Sequence, residues 1–263
     1  MTQRADNRAP GFELTPDELD RYQRHIQLEC FGLDGQKRLR QARVLIVGLG
    51  GLGSPAAMYL ASAGIGSLAL VDFDRVERSN LQRQIVHRSA SIGQNKVDSA
   101  RETLRELNPH VDVHCIPWAM DGEDLLAEVR RADVVLDASD NFETRFALNA
   151  VCVAEKRPLV SGAAVRTHGQ INVFDPRRAD SPCYRCVFDD VGEAEEPCAL
   201  VGVFAPLLGI IGSVQAAETV KLIVGMGDSL VGNLILIDSL SMRWRNLRVR
   251  RDPHCPVCGP KHD

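Results

Sequence analysis

The sequence lacks the features of a membrane-spanning, secreted or nucleic-acid-binding protein. It has no uninterrupted apolar run of about 18 residues, the length that suggests a membrane-spanning helix. Its polar N-terminus lacks the apolar core of a signal peptide. Basic residues are not in excess, because 31 Lys and Arg stand against 35 Asp and Glu, a net charge of −4, whereas nucleic-acid-binding proteins usually show a basic surplus. We therefore expect a cytoplasmic protein that binds neither a membrane nor nucleic acid.

Internal repeats, low-complexity tracts and any apparent Ser-His-Asp arrangement are also missing. The composition, 44% hydrophobic and 25% charged, is close to the globular average and excludes disordered and fibrous classes. A chain of 263 residues is long enough to bury a core that needs no disulfides.

Strands and helices alternate through the middle of the chain. The β-branched run Arg43–Val47 predicts a buried parallel strand, followed by a glycine-rich turn, a helix over Ser54–Ala63 and a strand over Ser67–Asp72. Further predicted helices are Lys96–Leu107, Asp121–Arg131 and Glu143–Ala154, and further strands are Val111–Ile116, Ala132–Ser139, PLVSGAAV and GQINVF. This alternation predicts an α/β fold, a Rossmann-like, doubly wound and mostly parallel sheet with helices on both faces.

The two ends of the chain have a different pattern. Thr15 and Glu18 form a predicted capping box that begins a helix continuing past His25, and a second short helix is predicted through Gln36–Gln41. Beyond Asp175, the sequence predicts a long functional loop (Ser181–Pro197), an apolar helical region (Gly202–Val224) and late strands at LILID and Met242–Arg250.

The turn GLGGLG lies between the first predicted strand and helix. Gly48, Gly50 and Gly53 fit the G-x-G-x-x-G pattern, in which glycines let the backbone approach a phosphate at a helix N-terminus. Asp72 ends the next strand, where a carboxylate can bind ribose hydroxyls. The position of the motif after a predicted strand, together with Asp72, favours nucleotide binding over a plain tight turn. The motif by itself would suggest NAD as the nucleotide.

A polar, mostly cationic set favours a nucleoside triphosphate over NAD. Asn80 and Arg83 lie in SNLQRQ, Lys96 follows, and Asp140 stands at the end of the fourth predicted strand, where open α/β sheets bind ligands. Taken singly, each of these residues is more typical of a solvated surface. Together they suit a triphosphate with Mg²⁺, whereas a nicotinamide needs an apolar pocket.

Two C-x-x-C pairs predict a metal site. Paired thiols in an intracellular protein indicate metal before redox chemistry, and four thiolates form a closed tetrahedral zinc site of the structural type. The alternative is four buried thiols without metal. The predicted zinc ligands are Cys183, Cys186, Cys255 and Cys258, and the predicted core thiols are Cys30, Cys115 and Cys152.

Many motifs resemble one family. The stretches RYQRHIQL, RVLIVGLGGLGSPAAMYLASAGIG, VDFDRVERSNLQRQ, GQNKVDSARETLRELNP, LDASDN, SGAAV, CYRC and CPVCG, from about Leu19 to Gly259, resemble the ubiquitin-activating-like adenylyltransferases of bacterial sulfur-carrier pathways. The resemblance implies one domain over residues 1–263. Its parts are an N-terminal helical arm (1–42), a nucleotide-binding core (43–175) and a zinc-bound crossover loop with the C-terminal part (176–263).

The resemblance also implies an activity. A ubiquitin-like sulfur carrier ending in Gly-Gly would attack the α-phosphate of MgATP through its terminal carboxylate, giving an acyl-adenylate and pyrophosphate. Implied nucleotide-binding residues are Gly48, Gly50, Gly51, Gly53, Asp72, Ser79, Asn80, Leu81, Gln82, Arg83, Lys96, Asp140 and Asn141. The implied catalytic residues are Arg24, Arg83, Lys96, Asp140 and Cys198. Of these, Asp140 would bind Mg²⁺, and Arg24 would reach the nucleotide of the partner subunit in a homodimer.

The chemistry agrees with this assignment. A carboxylate is ionised at neutral pH and needs no general base, so the obstacle is its repulsion by the triphosphate, about 4 kcal/mol for one pair of unit charges at about 4 Å with an effective dielectric near 20. Fixed cations offset that repulsion.

Several alternatives stay open on the sequence alone. SGAAVRTHGQINVF and VDFD favour the molybdenum-cofactor branch of the family over the thiamine branch. An NAD-dependent oxidoreductase with structural zinc and a silent carrier-docking scaffold are the rival classes. Cys198 is either a residue of covalent or sulfur-transfer chemistry or a small apolar filler. No rhodanese-like domain follows, so we expect a separate sulfur donor, a cysteine desulfurase or a rhodanese.

Overall fold

An eight-stranded sheet organises the chain. A computed structural model describes residues 11–188 and 202–260, so Cys198 and part of the predicted loop 181–197 lie outside the described residues. The strand order is β3-β2-β1-β4-β5-β6-β7-β8. The strands are β1 Arg43–Val47, β2 Ser67–Val71, β3 Asp112–Ile116, β4 Val134–Asp137, β5 Leu159–Val165, β6 His168–Phe174, β7 Asn233–Asp238 and β8 Arg243–Arg248.

Helices cover both faces of this sheet, as predicted. They are α1 Pro16–Arg21, α2 Gln23–Ile26, α3 Gly32–Arg40, α4 Gly53–Ser62, α5 Lys96–Leu107, α6 Gly122–Arg131, α7 Phe142–Ala154 and α8 Ala205–Val224. One core cluster joins α3, α4, α5 and α8 to one face of the sheet, and a second joins α6 and α7 to the other. Strands β1, β2 and β4 are buried on both faces, which explains their nearly continuous apolar sequences, whereas the edge strand β3 is partly exposed.

The sheet is parallel in one part and antiparallel in the other. Strands β1 to β5 pair in parallel, and β6, β7 and β8 continue the sheet as an antiparallel meander. The chain runs from β1 outward to β3, then returns to the other side of β1 as β4. The crevice between the carboxyl ends of β1 and β4 is therefore the topological switch point, where such sheets bind ligands.

Several element boundaries differ from the sequence-based expectation. The first predicted helix is broken: α1 ends at Arg21 and α2 begins at Gln23, because the buried Tyr22 between them accepts a hydrogen bond from Asn108 Nδ2 at 2.8 Å. The helix predicted from Gln36 begins earlier, at Gly32. The last strand is shorter than predicted, and Met242 before it has a left-handed φ of 51°.

Helix α8 is the most apolar helix of the described residues. By length and composition alone it could cross a membrane, with a mean hydropathy of 1.5 over its best window, yet 56% of that window is buried inside the protein. It packs on α4, β5 and β6. A Cβ on Gly212 would lie 2.4 Å from the carbonyl oxygen of Leu52, so the backbones of α8 and the α4 start are in close contact.

Two glycines of the GLGGLG motif, Gly50 and Gly53, provide a matched test of how tightly the turn after β1 is packed. A Cβ at position 53 would lie 1.9 Å from the Gly48 carbonyl oxygen, whereas a Cβ at position 50 would meet only Gln84 Nε2, at 3.8 Å. We expect Gly53→Ala to lower the free energy of unfolding by at least about 3 kcal/mol, and Gly50→Ala to change it by less than about 1 kcal/mol. Urea melts of the two variants check this, and equal losses would contradict it.

Candidate functional site

The glycine-rich turn packs tightly against its neighbours at the switch point. Gly48 has a φ of +94°, and a Cβ there would lie 2.6 Å from the carbonyl oxygen of Ala138, just after β4. A Cβ on Gly51 would lie 2.4 Å from Leu208 Cδ1 on α8. Only glycine fits at position 48, where φ is positive and the contact is with backbone, and α8 packs closely over Gly51, so β4 and α8 both confine the turn.

Asp72 fixes the turn from the end of β2. Its Oδ2 accepts a hydrogen bond from the Leu49 N–H at 2.8 Å, and its Oδ1 accepts from the Asp74 N–H at 2.9 Å. Burial raises the pKa of this carboxyl group, and the Lys96 ammonium, 3.8 Å from Oδ1, opposes that shift. Its side chain is 9% exposed. Asp72 therefore positions the turn, and its contact with ribose stays a prediction.

Unsatisfied polar groups line the exposed side of the turn. Within the described part of the chain, the N–H groups of Gly50, Gly51 and Leu52 have no hydrogen-bond acceptor, and Leu52, the N-cap residue of α4, provides no side-chain cap. Gln84 is 5% exposed, and its Oε1 has no hydrogen-bond partner among these residues. Free N–H groups at a helix N-terminus form an anion site. Gln84 was absent from the predicted binding set, although it ends the motif SNLQRQ.

Residues 79–83, which were predicted to contact the nucleotide, lie in the segment after β2. Ser79, Asn80 and Arg83 are joined locally, because Arg83 Nη1 donates to the Ser79 carbonyl at 2.9 Å and Asn80 Oδ1 accepts from the Glu77 N–H at 3.0 Å. Leu81 is half-buried and Gln82 is exposed. Arg83 forms no salt bridge with another described residue, so its charge is available to a ligand.

Lys96 begins α5 and points to the carboxylates after β2. Its ammonium lies 2.7 Å from Asp74 Oδ2 and 3.8 Å from Asp72 Oδ1. The side chain of Lys96 is 7% exposed, but that of Asp74 is 54% exposed. The structure thus brings Lys96 to the predicted ribose acid, and the exposed Asp74 is a partner that an incoming phosphate can replace.

Asp140 stands on a rigid loop between β4 and α7. The fully buried Asp137 accepts hydrogen bonds from the Ser139 N–H at 3.0 Å, from Ser139 Oγ at 2.6 Å and from Ser161 Oγ at 2.7 Å. Arg145 Nη2 donates to the Ser139 carbonyl at 2.9 Å. Asp140 itself is exposed and has no hydrogen bond or ion pair with another described residue, so its carboxylate is free at the switch point.

Asn141 has a local structural role. As N-cap of α7, its Oδ1 accepts a hydrogen bond from the Thr144 N–H at 2.8 Å. Because this oxygen is engaged by the helix, only the Nδ2 group of the side chain remains to contact a ligand. The predicted contact of Asn141 with a nucleotide stays a prediction.

Arg24 lies near the C-terminal ends of α4 and α5, away from the glycine turn of its own chain. Its neighbour Tyr22 packs on Gly64, after the end of α4, and bonds to Asn108, which ends α5. The turn lies at the start of α4, a helix of 10 residues and therefore about 15 Å long. Arg24 is exposed on α2 and distant from the site of its own chain, so any role in nucleotide binding requires a second chain.

The four paired cysteines converge. The Sγ atoms of Cys183 and Cys186 are 3.8 Å apart, those of Cys183 and Cys255 3.6 Å, and those of Cys186 and Cys258 3.4 Å, with all four within 4.8 Å of one another. Tetrahedral coordination with Zn–S bonds of about 2.3 Å requires sulfur separations of about 3.8 Å. The donor set and its geometry therefore fit zinc.

Protons are unevenly shared in this cysteine cluster. The hydrogen bond from Cys183 lowers the pKa of the Cys186 thiol to about 4, and the same bond together with burial raises the pKa of Cys183. Burial is the main cause that raises the pKa of Cys258 to about 11. A zinc ion would deprotonate all four thiols, since the metal ligand is the thiolate.

The cysteine cluster lies far from the switch point and joins two distant segments. Its cysteines lie in the segments that follow β6 and β8. Both of these strands end on the side of the sheet where the parallel strands begin. Asn149 of α7 anchors it by accepting from the Tyr184 N–H at 2.8 Å. Arg251 donates to the carbonyls of Ala179 and Cys258, which adds a second link between the segments. These contacts indicate a structural role.

The three other described cysteines differ from expectation in one case. Cys152 is buried, as predicted, and burial raises the pKa of its thiol. Cys115 is half-buried, and its Sγ donates to the Val97 carbonyl at 3.3 Å. The prediction was wrong for Cys30, which is exposed, because it lies in the segment between α2 and α3 rather than on a core-facing element.

The fold and site define an α/β protein with an anion cradle at the switch point and a separate cluster of four cysteines. Residues 22–257 match the ThiF family, and the chain belongs to that family. It is 48% identical to the molybdopterin-synthase adenylyltransferase of Escherichia coli (strain K12), over 94% of this chain and 99% of that protein. It is 46% identical to the adenylyltransferase and sulfurtransferase MOCS3 of Drosophila yakuba, over 96% of this chain and 56% of that protein.

A solved structure has the same architecture. The chain superimposes on a crystal structure of E. coli MccB with ATP at a TM-score of 0.81 and 26% identity, over 95% of this chain and 75% of that one. The predicted family resemblance and the predicted fold class are confirmed. The relatives also confirm the enzyme class, an adenylyltransferase.

Loss of one cluster cysteine should remove metal and stability together. We expect the purified protein to hold one zinc per chain, and Cys258→Ser to lose it and melt at a lower temperature, since zinc-binding free energy is folding free energy. Cys152→Ser, a buried cysteine outside the cluster, is the control and should keep its zinc. Metal analysis and thermal melts with and without a chelator check this. A zinc-free protein whose melting is unchanged by chelation would contradict it.

Proposed function

We propose that this protein uses MgATP to adenylate the C-terminal glycine carboxylate of a ubiquitin-like sulfur carrier, in the synthesis of the molybdenum cofactor. The observation that carries the proposal is the cradle of free N–H groups at Gly50, Gly51 and Leu52, at the N-terminus of α4. The 48% identity to a molybdopterin-synthase adenylyltransferase along nearly the full length of both chains supports the pathway.

The cationic side chains of the site would reduce the repulsion between the two reacting groups. The carrier carboxylate is already ionised and must approach the negatively charged α-phosphate. Arg83 and Lys96 reduce that repulsion and stabilise the charge that develops in the transition state. Lys96 is well placed, because its salt bridge with the exposed Asp74 can be exchanged for one with a phosphate.

The donor set at the switch point also fits Mg²⁺. Mg²⁺ prefers oxygen ligands and is usually held by one or two carboxylates together with substrate phosphates. Asp140 offers an exposed carboxylate on a loop that Asp137 and Arg145 hold in place. When bound, Mg²⁺ would neutralise phosphate charge. The contribution of the chain is to hold that carboxylate at the crevice.

The site favours ATP over NAD. The exposed side of the turn is lined by free amides, a buried glutamine and cations, whereas a nicotinamide ring needs an apolar pocket. A structure of MccB, to which this chain is similar, contains ATP. An NAD-dependent oxidoreductase is therefore the weaker alternative, and tight binding of NAD in place of ATP would favour it. A silent scaffold is weaker too, since Arg83, Lys96 and Asp140 are all present.

The carrier and the sulfur donor are finer parts of the proposal. A thiamine-pathway carrier is the alternative substrate within the ThiF family. A cysteine desulfurase or a rhodanese would donate sulfur in the cytoplasm. Cys198 would act only in that later step, since adenylation needs no thiol. A panel of carriers, each assayed for carrier-dependent ATP–pyrophosphate exchange, tests which one is used, and exchange only with a thiamine-pathway carrier would overturn the pathway assignment.

A homodimer is part of the proposal because of the position of Arg24. This exposed arginine follows Tyr22, which packs at the far ends of α4 and α5. The nucleotide cradle lies at the starts of the same helices. Arg24 can therefore meet a triphosphate only if a second copy of the chain brings its own cradle to α2.

Removal of either cation should slow adenylation itself. We expect Arg83→Ala and Lys96→Ala each to lower carrier-dependent ATP–pyrophosphate exchange by about two orders of magnitude, the scale for losing one stabiliser of developing charge. Arg105→Ala is the control, because Arg105 lies in the last turn of the same helix as Lys96 and is exposed. Exchange rates within about threefold of wild type for Lys96→Ala would contradict the assigned role.

Mixed dimers test the position of Arg24. Arg24→Ala and Asp140→Ala should each be inactive alone, because every site then lacks one required residue. Mixed heterodimers should recover activity, since one of the two sites regains both residues. The measurement is exchange activity of co-expressed, doubly tagged heterodimers, with each homodimer as control. A fully active monomer, or no recovery in heterodimers that have formed, would contradict the shared site.

A further inference from the structure

His87 lies behind the nucleotide cradle and was not among the predicted site residues. It is 5% exposed and belongs to the segment between β2 and α5 that also carries Arg83. Its Nε2 lies 3.2 Å from the Leu49 carbonyl oxygen, and its Nδ1 lies 3.0 Å from Ser99 Oγ on α5. One imidazole ring thus joins the three parts of the cradle: the glycine-rich turn, the Arg83 segment and the helix of Lys96.

The partners of His87 determine its tautomer. A carbonyl oxygen only accepts hydrogen bonds, so Nε2 must carry a proton and donate it to Leu49. Burial lowers the pKa of His87 to about 4, and the Lys96 charge adds to this shift. The ring is therefore neutral near pH 7, and Nδ1 accepts from the Ser99 hydroxyl. Ser99 holds the ring in the tautomer that can donate to the turn.

The bond to Leu49 determines where the cradle N–H groups point. The Leu49–Gly50 peptide is planar and trans, so its carbonyl oxygen and the N–H of Gly50 point in opposite directions. His87 holds that oxygen, and Asp72 holds the N–H of Leu49 on the preceding peptide. Ser54 Oγ also donates to the Leu49 oxygen, at 3.3 Å. The free Gly50 N–H is therefore directed away from His87.

We propose that neutral His87 is a positioning residue for the triphosphate, which acts through the Leu49 carbonyl to hold the Gly50 N–H in its phosphate-binding direction. His87 touches neither substrate nor reacting atoms. Its loss therefore acts on the affinity and alignment of ATP and leaves carrier binding unchanged. The inference rests on the proposed function for its kinetic readout but has a separate structural one.

The structural readout is NMR of the free protein, which needs no activity. We expect the ¹⁵N shift of His87 Nε2 to be that of a protonated nitrogen and that of Nδ1 to be that of an unprotonated one at pH 7. The amide resonance of Gly50 should shift in His87→Phe and stay near its wild-type position in Thr103→Val. Thr103→Val is the matched control, because Thr103 Oγ1 bonds the neighbouring Val86 carbonyl at 2.7 Å but not the turn. The opposite tautomer would overturn the proposal.

The kinetic readout separates positioning from general stability. We expect His87→Phe to raise KM for ATP in pyrophosphate exchange about tenfold, the effect of losing a buried hydrogen bond, with KM for the carrier unchanged. His87→Gln, which keeps a donor, should recover most of this loss, and Thr103→Val should lower only stability. If His87→Phe does not fold, Ser99→Ala should raise KM for ATP by a smaller factor.

Two kinetic results would also decide against the proposal. Equal effects of His87→Phe and Thr103→Val on KM for ATP would assign His87 a structural role only, and so would a failure of His87→Gln to restore ATP affinity. If the wild-type protein exchanges no pyrophosphate with any carrier, the proposed function fails, whereas the tautomer and the Gly50 shift still test His87.

Discussion

The hydrogen bond from the Leu49 N–H to the Asp72 carboxylate is the contact on which the rest of the site depends. It joins the turn after β1 to the end of β2, and a bond to a charged acceptor contributes about 2 kcal/mol. Asp72 also attracts Lys96, at 3.8 Å, and so places a cation beside the turn. With the close contacts of Gly48 and Gly53, this bond restricts the backbone of the turn while the N–H groups of Gly50, Gly51 and Leu52 stay free of acceptors among the described residues.

The two ends of the parallel strands carry different groups of functional residues. The free N–H groups, Asp140 and the Lys96 cation gather at the carboxyl ends of the parallel strands, where charge can be bound. The four cysteines lie near the amino ends of these strands and join the segment after β6 to the segment after β8. Metal binding can therefore stabilise the C-terminal part without entering the reaction.

The sequence predicts most of this architecture, because strand burial, glycine turns and paired cysteines leave local signals. The run Arg43–Val47, the glycine motif and the four clustered cysteines are of this kind. His87 and Gln84 leave no such signal, since their burial arises from α5 and the turn closing around them. The break at Tyr22 is also invisible locally, because it depends on Asn108, a residue far along the chain.

The central claim is that this cradle directs a carrier carboxylate to the α-phosphate of ATP. The most direct measurement incubates the protein, Mg²⁺ and a sulfur carrier with ATP labelled at either the α- or the γ-phosphorus and follows label on the carrier. We expect label from the α-position only, and none on a carrier whose terminal carboxylate is amidated. Label from the γ-position, or α-label on the amidated carrier, would contradict it.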